Sequence, residues 1–340
     1  MSVLDFDGKW RMMGATSVTV VPGTSEAWAT GKAGLLHFNG RRWTRVPTPQ
    51  PTDRELSLEA IYARASDDVW AVGWYRKVDE SNYEQQPLIE HWDGHAWTIV
   101  PNPTVEVVDP DGDGAVLTDV VAVAADDAWA VGRHRYDDQY TTFVQHWDGS
   151  EWTTVPGSGL APWNSLGPVG DRFQAVVSIP YSSTRWFLGN WSDEGGSGPL
   201  IQRYRDAWSS PFAPNSPGSL VGAAALRWDD VWAVGGGGPD GSAFAMHKDR
   251  ASWSVVPTPA PPMGRAALRS VAGVSSTNVW AVGQINDGTT LRALVEHWDG
   301  SSWSIAPSPL DHGALRDIAL RRSGWGWVVG DNAILQACGL

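Results

Sequence analysis

The chain has 340 residues, 42% hydrophobic and 19% charged, and its 38 acidic against 25 basic side chains give a net charge of −13. That balance argues against nucleic-acid binding, because neutralising phosphates requires a basic face. No run approaches the roughly 18 apolar residues of a membrane span, and the single cysteine, Cys338, excludes an internal disulfide framework or a cysteine-rich zinc site.

From the N-terminus, MSVLDFDGKW lacks the basic and then apolar segments of a signal peptide, which predicts a cytoplasmic chain. A repeat then occupies the whole sequence. W-A-V-G-type segments occur at Trp28 (EAWATG), Trp70 (DVWAVG), Trp129 (DAWAVG), Trp186 (TRWFLG), Trp232 (DVWAVG), Trp280 (NVWAVG) and Trp327 (GWGWVVG). Each of the first six is followed by an HWDGxxW-type segment, ending at Trp43, Trp97, Trp152, Trp208, Trp253 and Trp303. The last has only ILQACGL after it, and its missing partner is DFDGKW at the other terminus, ending at Trp10.

Each unit reads as four short strands. An alternating apolar stretch such as LRSVAGV (268–274) leads through a tight turn to VWAVG, and a variable loop leads to LVEHW. A two-residue Asp-Gly turn and a strand around the last Trp complete the unit. This period predicts an all-β fold, a seven-bladed β-propeller of four-stranded antiparallel blades, closed as a ring by the N-terminal strand. A solenoid is the alternative, but it would need capping units at both ends. The expected organisation is a single domain over 1–340, with blades at 15–47, 58–101, 117–156, 173–211, 220–257, 268–307 and 315–340 plus 1–13. Of the 22 tryptophans, those at repeat positions are expected to fill the space between blades. His37, His91, His146, His247 and His297 recur at one strand position in different units, which predicts a structural role rather than a shared metal.

A strand ending in Val-Gly, then aromatic-Asp-Gly-x-x-Trp and a proline, resembles the kelch-type blade. The chain is similar to the bacterial W-A-V-G/H-W-D-G repeat proteins common in actinobacteria. The resemblance implies the propeller fold, whereas kelch-like rings span oxidases, isomerases, lyases and pure binding modules.

In a four-stranded meander, the second-to-third loops and the inter-unit connectors share one face. All the length variation of this sequence falls there, and binding residues concentrate on such loops. Trp74, Tyr75, Tyr136, Trp163 and Trp191 lie on that loop face and are candidate ligand contacts; the same rings would also serve to pack down long loops. A residue twelve before each second-strand Trp, usually Leu, marks the start of the strand lining the channel. The next positions place Glu59, Asp119, Arg269, Arg316 and Asp317 at the channel mouth, where carboxylates and guanidinium groups would bind a zwitterion, polarise a substrate, or neutralise one another. His134, between Arg133 and Arg135, is a further catalytic candidate. Asp109, Asp111 and Asp113 have the D-x-D-x-D-G spacing of a calcium loop, without the distal acidic ligand, and fit a plain acidic turn equally. The reading is a monomeric module recognising a glycan, peptide or small molecule on the loop face near blades two to four. The alternative is a stand-alone enzyme of isomerase, cyclase or lyase type acting on a small metabolite or peptide at the channel mouth.

Overall fold

In a computed structural model, the described residues are 2–3, 14–31, 34–49, 51–78, 85–105, 114–136, 139–156, 170–180, 182–193, 196–209, 212, 214, 216, 218–250, 252–308 and 310–337. Among the described residues all the regular structure is strand, apart from one short 3₁₀ turn. The first strand is β1 (Ser2–Val3). There follow β2 (Ala15–Val20), β3 (Ala27–Gly31), β4 (Gly34–Phe38) and β5 (Trp43–Val46). The next unit is β6 (Arg54–Ala65), β7 (Asp68–Lys77), β8 (Gln86–Trp92) and β9 (Trp97–Ile99). After it come β10 (Gly114–Ala124), β11 (Asp127–Tyr136), β12 (Gln139–Trp147) and β13 (Trp152–Thr154). Then come β14 (Arg172–Ser178), β15 (Arg185–Asp193), β16 (Gly196–Arg205) and β17 (Ala207–Trp208), and β18 (Ser219–Arg227), β19 (Asp230–Gly236), β20 (Phe244–Lys248) and β21 (Trp253–Val255). The chain continues through β22 (Arg265–Ser275), β23 (Asn278–Asn286), β24 (Leu291–Trp298) and β25 (Trp303–Ala306), and ends with β26 (Leu315–Leu320), β27 (Gly326–Gly330) and β28 (Ala333–Ala337).

The fold is an all-β propeller of four-stranded antiparallel blades, but the expectation of seven blades is corrected by the hydrogen bonding: five blades, not seven, stand as independent four-stranded sheets, and the remaining strands, β18 to β25, form one continuous eight-stranded sheet. The fusion is a single bridge between Gly236 and Ala267, joining β19 to β22. It forms because Gly236 offers no side chain: a Cβ there would sit 3.1 Å from that of Ala267. The innermost strands β2, β6, β10, β14, β18, β22 and β26 each touch the next, and β26 touches β2. At the outer edge, β1 pairs with β28 through Ser2–Gln336 and Val3–Leu335. The strand expected to end at Trp10 and the cysteine at 338 lie outside the described residues.

Tryptophan pairs seal five of the junctions between successive units, and at a sixth Trp129 meets Tyr204 and Phe187. Trp28 meets Trp97 edge-on at 5.4 Å, Trp70 meets Trp152 at 5.2 Å, Trp186 meets Trp253 at 5.5 Å and Trp232 meets Trp303 at 5.2 Å. Trp327 of the last unit meets Trp43 of the first in the same way, at 5.0 Å. Edge-to-face packing adds to the large apolar area that each indole removes from water. The five repeat histidines lie 4.2–4.3 Å from the second-strand Trp of their own unit. Four of them also contact a turn side chain through Nε2: Asp68, Asp127, Asp230 and Asn278, at 2.8–3.0 Å. The third-to-fourth turn is four residues long rather than two. In Asp93–Ala96 the aspartate accepts the N–H groups of His95 and Ala96, while Gly94 takes φ +93°.

One contact recurs in every unit. The innermost strand carries a β-bulge, and the glycine closing each W-A-V-G segment lies opposite its start. A Cβ on Gly73, Gly132, Gly189, Gly235 or Gly283 would stand 1.8–2.0 Å from a carbonyl oxygen of that strand. Gly132→Ala is therefore expected to force the bulge of β10 apart and cost about 1–3 kcal/mol or more. Equilibrium urea unfolding reads this as a lowered midpoint at unchanged slope; an unshifted midpoint refutes it.

Two third-strand glutamates, Glu90 and Glu296, are fully buried, and neither carboxylate has a hydrogen-bond partner among the described residues. At the equivalent position Gln145 donates from Nε2 to the Pro103 carbonyl at 3.0 Å. Burial pushes Glu90 from 4.5 up to about 7 and Glu296 up to about 8. The folded chain thus holds these protons more tightly than the unfolded chain. The stability they carry is complete below about pH 4.5 and is lost as pH rises through 7 to 8. The Glu90→Gln, Glu296→Gln double variant should melt with wild type at pH 5 and above it at pH 9. The gap should reach a few kcal/mol, since each tenfold change in proton affinity is worth about 1.4 kcal/mol. Parallel melting curves at both pH values would show that neither group changes charge.

Candidate functional site

The bulge decides which side chains reach the loop-face mouth. The extra residue of each bulge is unpaired in the ladder, so its side chain is free of the sheet's alternation. These residues are Thr16, Glu59, Thr118, Gln174, Val221, Arg269 and Arg316. Three of them bond to the residue that follows the second-strand glycine, at a spacing of 15 each time. Trp74 Nε1 donates to Glu59 Oε1 at 3.1 Å. Arg269 donates from Nε and Nη2 to Gln284 Oε1 at 3.3 and 3.1 Å. Arg316 Nε donates to Asp331 Oδ1 at 2.7 Å.

Glu59 and Trp74, singled out separately in the sequence, are thus one contact, completed by the Ser57 hydroxyl at 2.9 Å. Tyr75 beside them carries the Arg54 guanidinium 4.5 Å above its ring, and Arg76 lies 5.9 Å over Trp74 while paired with Glu55. On another side of the mouth, Arg269 and Arg316 are close enough to repel. Burial first, then the Arg316 charge, holds the Arg269 guanidinium below its usual value, while Asp331 partly offsets this. Asp331 is held low by its hydrogen bonds from the Ala314 N–H and Arg316 and by both guanidinium charges, which outweigh its own burial. Gln284 and Asp331 escaped the sequence reading, although the 15-residue spacing would have found them.

Asp119 and Asp317 sit one residue past the bulge and point into the ring. The N–H groups of Val120 and Val176 donate to Asp119 at 2.9 and 2.8 Å. Asp317 accepts from Ser270 Oγ at 2.6 Å, and from Ser17 Oγ and the N–H groups of Val18 and Ile318 at 2.8 Å. Burial raises both carboxyls, Asp119 to about 7 with the Asp317 charge contributing. Their oxygens tie adjacent innermost strands together, and Asp317 ties the last unit to the first. His134 lies in β11 opposite Thr141, with its ring 6.3 Å from Phe143, and is not brought to the Glu59 or Arg316 groups. Arg133 and Arg135 lie 5.8 and 6.0 Å from the ring centre of Tyr140. Trp191 packs over Gly198, where a Cβ would be 2.9 Å from its Nε1, and joins the core around Phe173 and Phe187. Tyr136 ends β11, its backbone paired with Gln139. Trp163 and the acidic triplet Asp109, Asp111 and Asp113 lie outside the described residues, so calcium binding there stays an expectation of the sequence.

A cavity of about 590 Å³ opens at the other end of the channel, on the face of the short first-to-second turns. Among the described residues no helix is long and apolar enough to cross a membrane.

No family model matches the chain, and no curated protein is similar to it. Solved structures are. YCF48 bound to D1 peptide is similar over the whole of both chains, at 14% identity and a TM-score of 0.58. Streptogramin B lyase aligns at 12% identity and 0.61, covering 98% of this chain and 94% of its own. The WD40 β-propeller domain of Doa1 aligns at 10% identity and 0.61, covering 99% and 94%. At these identities the likeness is one of fold: the chain is a β-propeller, and no family model supports the kelch type specifically.

Proposed function

We propose that this propeller is an interaction module that binds a peptide across the loop-face mouth of its channel. The observation that carries the reading is the Arg269–Arg316 pair. The two bulge arginines stand on adjacent innermost strands, Arg316 paired with Asp331 at 2.7 Å and Arg269 bonded to Gln284, with the charges of all three acting on one another. The arrangement leaves positive charge in a partly desolvated place, where a ligand carboxylate gains charge-assisted, bidentate hydrogen bonds. Across β2 from this pair, Trp74 and Glu59 offer an indole face and an acidic edge. An extended peptide with an acidic side chain or free C-terminus on the arginines would lay its next residues towards Trp74. That the fold serves peptide recognition elsewhere, in YCF48 bound to D1 peptide, supports the peptide class. The enzymatic alternative at the channel mouth would draw on Glu59, Asp119, Arg269, Arg316, Asp317 and His134; of these, Asp119 and Asp317 have oxygens engaged by neighbouring strands.

A peptide array containing acidic, neutral and basic sequences, each with free and amidated C-termini, provides the test. Wild-type protein should select peptides with a carboxylate, and rising salt should weaken them. The Arg269→Ala, Arg316→Ala double variant should bind them at least tenfold more weakly, a change of about 1.4 kcal/mol. Trp74→Ala should reduce affinity for the same peptides while thermal unfolding stays near wild type. Selection indifferent to carboxylates, or unaltered by the arginine changes, overturns the reading.

A further inference from the structure

The 590 Å³ cavity on the short-turn face follows from one position of the innermost strands. The residue opposite each second-strand Trp is Thr19, Tyr62, Val121, Val177, Ala224, Ala272 or Ala319. Three consecutive innermost strands, β18, β22 and β26, therefore supply alanine where β6, β10 and β14 supply a phenol and two valines. The channel is filled on one side and hollow on the other. All three alanines line the hollow and keep part of their surface exposed, while Tyr62 forms its opposite wall. The volume lies in the range that encloses a small organic molecule.

Arg227 and Arg322 stand at the rim, and among the described residues no Asp or Glu lines the cavity, in a chain of net charge −13. The nearest carboxylates are Asp229 beside Arg227 and Asp119, which acts on the Tyr62 phenol from deeper in the ring. Arg227 shares Asp229 with Arg250, at 3.3 and 3.5 Å, so one carboxylate faces two guanidinium groups. Arg322 is exposed and forms no ion pair among the described residues. The exposed Trp228, 59% accessible, adjoins Arg227 at the same rim.

We propose that this mouth is a second binding site, separate from the peptide mouth, for a small organic anion with an apolar or aromatic body. The body fills the hollow against Ala224, Ala272, Ala319 and Tyr62. The acidic group remains at the rim with Arg322 and Arg227, where a flexible cation meets it without being desolvated. The site is independent of the loop-face reading, because the two mouths share no side chain.

The probe is 1-anilinonaphthalene-8-sulfonate, an aromatic anion, titrated by fluorescence against the full chain with near-UV circular dichroism as the check on folding. The Ala224→Leu, Ala272→Leu double variant, which fills the hollow, should weaken it at least tenfold; if that variant does not fold, Ala272→Val should weaken it severalfold. Arg322→Glu should weaken the anionic probe at least threefold and leave the uncharged N-phenyl-1-naphthylamine unchanged, whereas Arg41→Glu, the same charge change on an exposed outer turn, should leave both unchanged. Binding unaltered in the filled variants, or weakened as much by Arg41→Glu as by Arg322→Glu, overturns the proposal. So does an Arg322→Glu effect equal for both probes, or the absence of binding to the wild type.

Discussion

The propeller depends on the contact between a glycine and a carbonyl oxygen. Where each W-A-V-G segment ends, the second strand passes so close to the bulge of the innermost strand that a methyl group would stand about 2 Å from backbone oxygen. The missing Cβ lets the innermost strand take an extra residue without losing its ladder beyond it. That extra residue bends the strand towards the axis and turns a side chain towards the mouth. The Trp two positions past the bulge's reset pairs with the channel-lining residue on one side of the sheet. On the other side it reaches the fourth-strand Trp of the next unit, as Trp70 does with Trp152. Closure, packing and presentation therefore share one geometric origin.

The channel is held by hydrogen bonds as well as by indoles. Asp317 gathers donors from β22, from its own strand and from β2, so the last and first units are joined at the axis as well as at the rim. This inner tie adds to the outer one, between β1 and β28, which comprises two residue pairs among the described residues. Carboxyl groups placed this deep lose solvation, which is why Asp119 and Asp317 both hold protons more tightly than free aspartate. They offset that loss by accepting backbone N–H groups that would otherwise face a narrow water column.

The strand order and the packing role of the tryptophans were legible because both rest on periodic residues. Apolar alternation, Asp-Gly turns and Trp at fixed intervals are local signals. The position of Glu59, Arg269 and Arg316 was legible too, since all follow the Leu twelve residues before a second-strand Trp. What the sequence hid depends on register. No local pattern distinguishes the bulge residue, which faces the mouth, from Asp119 or Asp317 one step later, which face the ring. The joining of β18 to β25 into one sheet at Gly236, which overturns the expected blade count, arises from a glycine run that reads as an ordinary loop. The hollow opposite Tyr62 escaped for a related reason: alanine in a strand signals nothing until its neighbours across the axis are known. Trp191, conspicuous outside the repeat, turned out to cover a glycine beside the core.

The pairing at a spacing of 15 separates what the fold requires from what the mouth displays. Thr16 and Thr118 use the bulge position to bond the Leu58 and Phe173 carbonyls of the next innermost strand, and Asn190, after its glycine, bonds Leu220. In three units the two positions bond to each other instead, and these units carry two substitutable letters on a constant frame, written here as Glu-Trp, Arg-Gln and Arg-Asp. Exchanging such a pair between units would rewrite the order of charges around the mouth while leaving the tryptophans and the glycine contact untouched. Divergence of such chains towards new partners has an inexpensive route: two codons in each of these three units, fifteen apart, drifting together.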